Sequence, residues 1–135
     1  MRRFVIGSHH RLAYGLRDTL EFLTCKENII DISAYVDDTD AEEQIAQVFA
    51  SIAPEDEVII MTDMLGGSVN QKFCSYMAEH RHLISGINLP CALSLALQPE
   101  DTYLTEEQIL QIVEESRNHL IYVNKYQAVD DQADE

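Results

Sequence analysis

Short apolar runs alternate along the chain with longer segments whose apolar residues recur at a helical spacing. The runs RRFVIG and EVIIMT are rich in β-branched residues, which is typical of strands covered on both faces in a parallel sheet. In TDAEEQIAQVFASIAP the apolar residues fall on one helical face, and Pro54 lies just past the end. Thr39 and Glu42 form a predicted capping box at the start of this helix.

The whole pattern predicts a doubly wound α/β fold. The predicted strands span 2–7, 28–35, 57–62, 82–87 and 119–124. The predicted helices span 12–24, 39–53, 68–79, 90–97 and 105–117, the last opened by a capping box of Thr105 and Gln108. Strands that alternate with helices favour right-handed crossovers and an open, mainly parallel sheet between helical layers. We expect the strand order 2-1-3-4.

Length and composition fit one soluble domain. At 135 residues, 46% hydrophobic and 24% charged, the chain can bury a core, and no apolar run is long enough to span a bilayer. We expect a domain over residues 1–125 and an acidic, disordered tail over 126–135. The apolar part of MRRFVIGSHH is too brief for a secretory signal, so we expect a cytoplasmic protein.

The formal net charge of −15 argues against nucleic acid as a partner, because such a surface repels phosphates. A basic protein partner and a surface that serves only solubility are both compatible with this charge. Cys25, Cys74 and Cys91 are widely spaced and suggest small buried side chains rather than disulfides or a metal site.

Candidate chemistry lies where the predicted strands end. In open α/β sheets, ligands bind beyond the carboxyl ends of the strands, at the switch point of the connections. With strands one and three adjacent, His9 or His10 would approach Asp63 there. A carboxylate that accepts a proton from Nδ1 fixes the imidazole tautomer, leaves the Nε2 lone pair free, and makes the ring a nucleophile.

The loop after Asp63 suggests an anionic electrophile. Gly66 and Gly67 can adopt positive φ and turn their N–H groups inward, while Ser68 opens the next helix. A phosphoryl group held without metal or cofactor fits this description. Solvated surface histidines beside an ordinary turn, with Asp63 bonded to loop amides and Ser68 as an N-cap, are the plain alternative.

Sequence signatures of other phosphate chemistries are missing. The chain has neither a G-x-G-x-x-G after its first strand nor a G-x-x-x-x-G-K-[ST], which disfavours the usual dinucleotide and nucleotide sites. It also has no G-x-S-x-G elbow of a serine hydrolase.

Three ordered segments carry a family resemblance. FVIGSHHRLAYGL is similar to a strand followed by G-[ST]-H, IIMTDMLGGSVN to D-x-x-G-G-[ST]-P, and LISGINLPCALSLAL to a G-x-N-x-P-M segment. Over about residues 3–125 the chain thus resembles the enzyme IIA domain of the mannose-type sugar phosphotransferase system (PTS).

The resemblance implies a role for each matching residue. His9 would be the phosphorylated residue, with His10 at a variable position, Asp63 bonded to the imidazole, and Ser68 beside the phosphate. The phosphoryl group would come from the phosphocarrier protein HPr and pass to an enzyme IIB domain, then to a sugar during uptake, with the membrane components IIC and IID involved indirectly.

The chain departs from the family pattern at two places. Val69 replaces the usual proline after the glycines, which predicts a looser start of that helix. Met64 and Leu65 stand where an aromatic residue or a leucine is common, and would form an apolar rim for partner docking. The family pairs as a homodimer through an exchanged C-terminal strand, for which HLIYVN is the candidate.

Two other functions remain open at this point. The same scaffold would suit a phosphotransfer subunit of a dihydroxyacetone kinase system. It would also suit a regulatory or non-catalytic interaction domain in which His9 is merely exposed.

Overall fold

The computed structural model describes residues 1–126, which form a four-stranded sheet and five helices. The strands are β1 (Arg2–His9), β2 (Ile29–Ala34), β3 (Glu57–Thr62) and β4 (Arg81–Ser85). The helices are α1 (Leu12–Thr24), α2 (Ala41–Ala50), α3 (Ser68–Phe73), α4 (Leu89–Ala96) and α5 (Glu106–Arg117), and 3-10 turns span Cys74–Tyr76 and Val123–Lys125. All three strand pairs are parallel in the order β2-β1-β3-β4, which confirms the predicted fold class.

Helices cover both faces of the sheet, which explains the continuously apolar strands. Phe4 and Ile6 of β1 join one core with α1, α4 and α5, whereas Val5 between them joins a second core with α2 and α3. Every residue of β3 is buried. The two central strands, β1 and β3, are therefore fixed from four sides, and the residues next to their carboxyl ends are held in place.

A buried ion pair ties the amino end of the sheet to the segment before α5. Arg2 is 2% exposed and its Nε donates to Glu57 at 2.7 Å, while its other nitrogens donate to the carbonyls of Gln98, Pro99 and Thr102. Burial of a guanidinium is tolerated here because its donors are matched by a carboxylate and carbonyls.

Helix capping differs from the sequence prediction at one helix. The capping box of Thr105 and Gln108 is present at α5 as predicted. At α2 the prediction of Thr39 is wrong, because the side chain of Asp40 accepts the N–H of Glu42 at 3.0 Å. Asp is an equally good cap, and its position one residue later starts the helix at Ala41.

The helix predicted over 68–79 ends early. It closes as α3 at Phe73 and continues only as the 3-10 turn. The chain has to leave the helix because Ala78 and Arg81 exchange backbone hydrogen bonds in the tight turn that enters β4. The helix begins at Ser68 as predicted, but the turn that leads into β4 determines where it ends.

The strand predicted over 119–124 is not formed. Residues 119–122 are irregular and lead into the 3-10 turn, with Leu120 91% exposed. A strand needs a second strand for its N–H and C=O groups, and within residues 1–126 this segment pairs with neither edge strand. Most of the tail predicted over 126–135 lies outside the described residues.

None of the described helices combines the length and apolarity that crossing a bilayer requires.

Candidate functional site

His9 is the last residue of the central strand rather than part of a loop. β1 runs two residues beyond its predicted end, so His9 lies level with Ala34 of β2. Asp63 directly follows β3, the strand on the other side. The two predicted partners therefore meet at the carboxyl edge of the sheet because their strands are neighbours.

One carboxylate oxygen of Asp63 holds His9 twice. Asp63 Oδ2 lies 2.8 Å from the backbone nitrogen of His9 and 2.8 Å from its ring Nδ1. Asp63 Oδ1 accepts the N–H of Met64 at 3.0 Å. The Asp63 side chain is 11% exposed and that of His9 35%, so the ring is held on its inner edge and reaches solvent on the other.

The charge state of Asp63 fixes the tautomer of His9. Partial burial acts to raise the pKa of Asp63, but the hydrogen bonds from the backbone and ring of His9 outweigh it and lower the pKa below its ordinary value of 3.8. An ionised carboxylate can only accept hydrogen bonds, so Nδ1 carries the hydrogen. In the neutral form of the ring, Nε2 then has its lone pair free.

The glycine loop brings its backbone against the imidazole. Gly66 has φ +81°, which confirms the expected left-handed turn, but Gly67 has φ −72°. The N–H of Gly67 donates to the carbonyl of Met64 at 3.3 Å. The prediction that this N–H points into the site is therefore wrong. A Cβ at Gly67 would lie 3.0 Å from His9 Cε1, so a side chain there would press on the ring.

Ser68 stands at the free edge of the imidazole. It is the first residue of α3, with Gly67 in the capping position, and its Oγ lies 3.5 Å from His9 Nε2. α3 has only six residues, so the hydroxyl rather than a helix dipole is the main polar group offered to Nε2. Val69, expected to loosen this start, is fully buried and lies close to Gly7 in the core.

The predicted apolar rim is exposed beside the site. Met64 is 54% and Leu65 83% exposed. Large apolar side chains that are exposed next to His9 offer a surface on which another protein could dock.

Tyr35 belongs to the site although no sequence motif selects it. Its hydroxyl lies 2.7 Å from Ser68 Oγ, and its ring centroid 5.7 Å from that of His9. The signal is present in the strand order, because β2 neighbours β1 and its carboxyl end opens on the same edge. Tyr35 directly follows that end.

His10 forms the backbone turn that follows β1. It has φ +55°, its N–H donates to the carbonyl of Ala34 at 2.7 Å, and its own carbonyl accepts the hydroxyl of Ser8 at 3.0 Å. The left-handed conformation turns the chain from β1 into α1. Within residues 1–126 the ring of His10 makes no hydrogen bond or ion pair.

No three His, Cys, Asp or Glu side chains of the described segment are grouped so that they could share a metal ion.

Comparison with known proteins gives a consistent picture. The family model for the PTS fructose IIA component matches residues 3–114. The crystal structure of a Klebsiella pneumoniae protein assigned to a phosphoenolpyruvate-dependent sugar PTS permease is 32% identical, covers 92% of each chain and has a TM-score of 0.78. No curated protein gives a significant match.

Two more distant structures share the fold. The PTS IIA protein associated with a fucose utilization operon of Streptococcus pneumoniae is 21% identical, covers 92% of this chain and 94% of that one, and has a TM-score of 0.74. The mannose/sorbose-specific IIA subunit from Enterococcus faecalis is 15% identical, covers 95% and 98%, and has a TM-score of 0.70.

Proposed function

This chain belongs to the mannose-type family of PTS IIA components, and on that premise we propose that it carries a phosphoryl group on Nε2 of His9. The phosphoryl group would come from phospho-HPr and leave to an enzyme IIB domain. From there it would reach a sugar during uptake, through the membrane components IIC and IID.

The Asp63–His9 contact is the observation that carries this proposal. Because Nδ1 donates to a carboxylate at 2.8 Å, the neutral ring presents a lone pair at Nε2, on its outer edge. A surface histidine without such a partner would exchange between tautomers and point in many directions. An oriented, nucleophilic imidazole is what phosphoryl acceptance requires.

Phosphoryl transfer between two imidazole nitrogens needs only the donor and the acceptor ring. The Nε2 lone pair of His9 attacks phosphorus, the bond from phosphorus to the donor nitrogen breaks, and its electron pair returns to the donor imidazole. The positive charge that develops on the His9 ring is stabilised by ionised Asp63. Transfer to IIB is the same step in reverse, so positioning and charge stabilisation provide the catalysis.

The glycine loop and Ser68 would shape the space for the phosphoryl group. Gly66 provides the turn, Gly67 lets the backbone approach the ring, and the Ser68 hydroxyl can donate to a phosphoryl oxygen. We assign Met64 and Leu65 to partner docking, since both are exposed beside the site. The acidic chain suits a basic partner surface, and we place this exchange in the cytoplasm.

We further propose that the chain pairs as a homodimer through residues 119–124. Three apolar side chains of this segment are largely exposed, namely Leu120, Tyr122 and Val123. Such a segment is costly in water and would be covered if it added to a sheet edge of a second copy.

Phosphorylation with purified components tests the proposal. The chain is incubated with labelled phosphoenolpyruvate, enzyme I and HPr, and then with a IIB domain. We expect acid-labile label on the wild type, its passage to IIB, no label on His9→Ala, and normal label on the matched His10→Ala variant. Failure to label the wild type would favour a non-catalytic interaction domain, and loss of label in His10→Ala alone would show that His10, not His9, is the acceptor.

A further inference from the structure

Tyr35 is held in a conformation that its residue type disfavours. Its φ of +67° is left-handed, and an aromatic L-residue adopts this region only when its surroundings enforce it. Tyr35 is 55% exposed, so burial of the ring does not account for the conformation. Such residues cluster at functional sites but also end helices, as Cys25 does after α1, so the contacts of the Tyr35 side chain have to decide between the two.

The side chain of Tyr35 makes its hydrogen bond within the site. Its hydroxyl lies 2.7 Å from Ser68 Oγ, whereas Ser68 Oγ lies 3.5 Å from His9 Nε2. The three groups form a row, with Tyr35 after β2 at one end, Ser68 at the start of α3 in the middle, and His9 at the end of β1. The short contact joins the two hydroxyls, and the long one leaves room at Nε2.

The direction of the hydrogen bond decides what Ser68 can do. If the Tyr35 hydroxyl donates to Ser68 Oγ, the serine hydrogen is free to point towards Nε2 or towards a group bonded to it. A phenol is the stronger acid of the two hydroxyls, and donation by it polarises the serine O–H in the same direction. Without Tyr35, the serine hydroxyl would rotate among its staggered positions and bond to water.

We propose that Tyr35 is a positioning residue that orients the Ser68 hydroxyl towards the phosphoryl group on His9. This role rests on the proposed function, because it presumes phosphoryl transfer at Nε2. Tyr35 does not itself form or break a bond. Its hydroxyl sets the rotamer of a donor that stabilises charge on the transferred group.

Tyr35→Phe tests the role, because it removes one oxygen and keeps the ring. Tyr103→Phe is the matched control: Tyr103 is 45% exposed and its hydroxyl also makes a 2.7 Å hydrogen bond, to the carbonyl of Glu55 and away from the site. We expect Tyr35→Phe to lower the maximal rate of transfer from phospho-HPr about three- to tenfold, the effect of one net hydrogen bond. The half-saturating concentration of phospho-HPr and the rate of the control should not change.

A second variant shows whether the effect passes through Ser68. In a Ser68→Ala background, adding Tyr35→Phe should cause no further loss. An equal loss in both backgrounds would overturn the positioning role, and so would a wild-type rate in Tyr35→Phe. A change confined to the half-saturating concentration would also overturn it, since it would make Tyr35 a docking contact.

The nitrogen-15 resonance of His9 Nε2 gives a readout that does not depend on phosphorylation. We expect Tyr35→Phe and Ser68→Ala to shift this resonance and Tyr103→Phe to leave it in place, because only the first two change the hydroxyl that faces Nε2. If the wild type is not phosphorylated but the resonance shifts as expected, the proposed function is refuted and the contact that orients Ser68 is retained. If the wild type is phosphorylated but the resonance does not shift in Tyr35→Phe, only the role of Tyr35 is refuted.

Discussion

A single oxygen of Asp63 accepts two hydrogen bonds from His9, one from the backbone N–H and one from Nδ1, each 2.8 Å long. The carboxylate thus fixes the end of β1 and the orientation of its side chain with the same atom. Any change at Asp63 acts on the position, the tautomer and the charge of the imidazole together.

Asp63→Asn should slow phosphoryl transfer while the chain remains folded. The amide oxygen can still accept both N–H groups of His9, but the amide nitrogen cannot accept the N–H of Met64, and the negative charge that stabilises the positive ring is lost. Hydrogen bonds to charged groups contribute about 1.5–3 kcal/mol, which predicts a rate lower by about 10- to 150-fold. Rapid-quench measurement of label transfer from phospho-HPr checks this, and an unchanged rate would refute the assigned pairing.

Asp63 should also make stability depend on pH. Its pKa is lower in the folded chain than the ordinary value of 3.8, so it stabilises the fold above that value and loses this effect as the pH falls through the folded pKa. We expect the free energy of unfolding of the wild type to exceed that of Asp63→Asn near neutral pH, and the difference to shrink below about pH 4. Urea denaturation between about pH 3 and 7 measures it. A difference that is constant over this range would contradict the ionised contact.

Gly67→Ala should displace the imidazole without disrupting the core. The added methyl group would lie 3.0 Å from His9 Cε1 and 3.3 Å from the carbonyl oxygen of Met64, so the ring has to shift. We expect transfer to fall about tenfold, because small misplacements of a reacting group are costly. Stability should fall by about 1 kcal/mol, since alanine is a poor N-cap.

Gly15→Ala is the control for this substitution. A Cβ at Gly15 meets nothing within 4 Å, and the residue lies inside α1. Stability should therefore rise by about 0.5–1 kcal/mol, with the transfer rate unchanged. Equal transfer rates in Gly67→Ala and the wild type would refute the tight contact.

Arg2→Met should be among the most destabilising single changes. It leaves the Glu57 carboxylate buried without its cation and removes donors from three carbonyls, which predicts a loss of about 3–5 kcal/mol. Arg3→Met is the matched control, because Arg3 is one-third exposed and its contact with Asp56 is 3.3 Å, and its loss should be below about 1 kcal/mol. Thermal and urea unfolding compare the two. Similar losses would refute the special role of the buried pair.

Leu120→Asp should convert a dimer into a monomer. Leu120 is 91% exposed in the single chain, and a carboxylate there would be buried in the proposed pairing at high cost. Phe22→Asp, at an 82% exposed position on α1, should leave the dimer intact. Sedimentation equilibrium measures the mass of each, and a monomeric wild type would refute the pairing.

The strand order explains why the central pair could be predicted. Continuous apolar runs predict β1 and β3, and parallel strands bring their carboxyl ends to one edge, so either His9 or His10 is expected near Asp63, and the family resemblance selects His9. The contact itself also needs β1 to run two residues beyond its predicted end, which places His9 beside Asp63. The strand order also brings the end of β2 to this edge, but the strand predicted over 28–35 includes Tyr35, and no sequence pattern reveals that Tyr35 leaves the strand in a left-handed conformation.

The remaining differences depend on contacts that lie outside each local pattern. Gly67 was expected to turn with positive φ, but its close approach to the ring depends on the path of the whole loop. The helix from Ser68 ends early because a turn must lead into β4. The apolar pattern at 119–124 indicates a propensity to form a strand. A strand also requires a partner strand to pair with, and within residues 1–126 this segment has none.

His9 ends β1 with Ala34 of β2 on one side and the carboxylate of Asp63 on the other, so both its backbone and its imidazole are held in place. We expect the amide hydrogens of β1 to be among the slowest of the described residues to exchange with solvent, because a strand paired on both sides exchanges mainly through large-scale opening. In the proposed transfer, the donor and acceptor proteins would therefore have to adjust their approach to a ring that is already fixed.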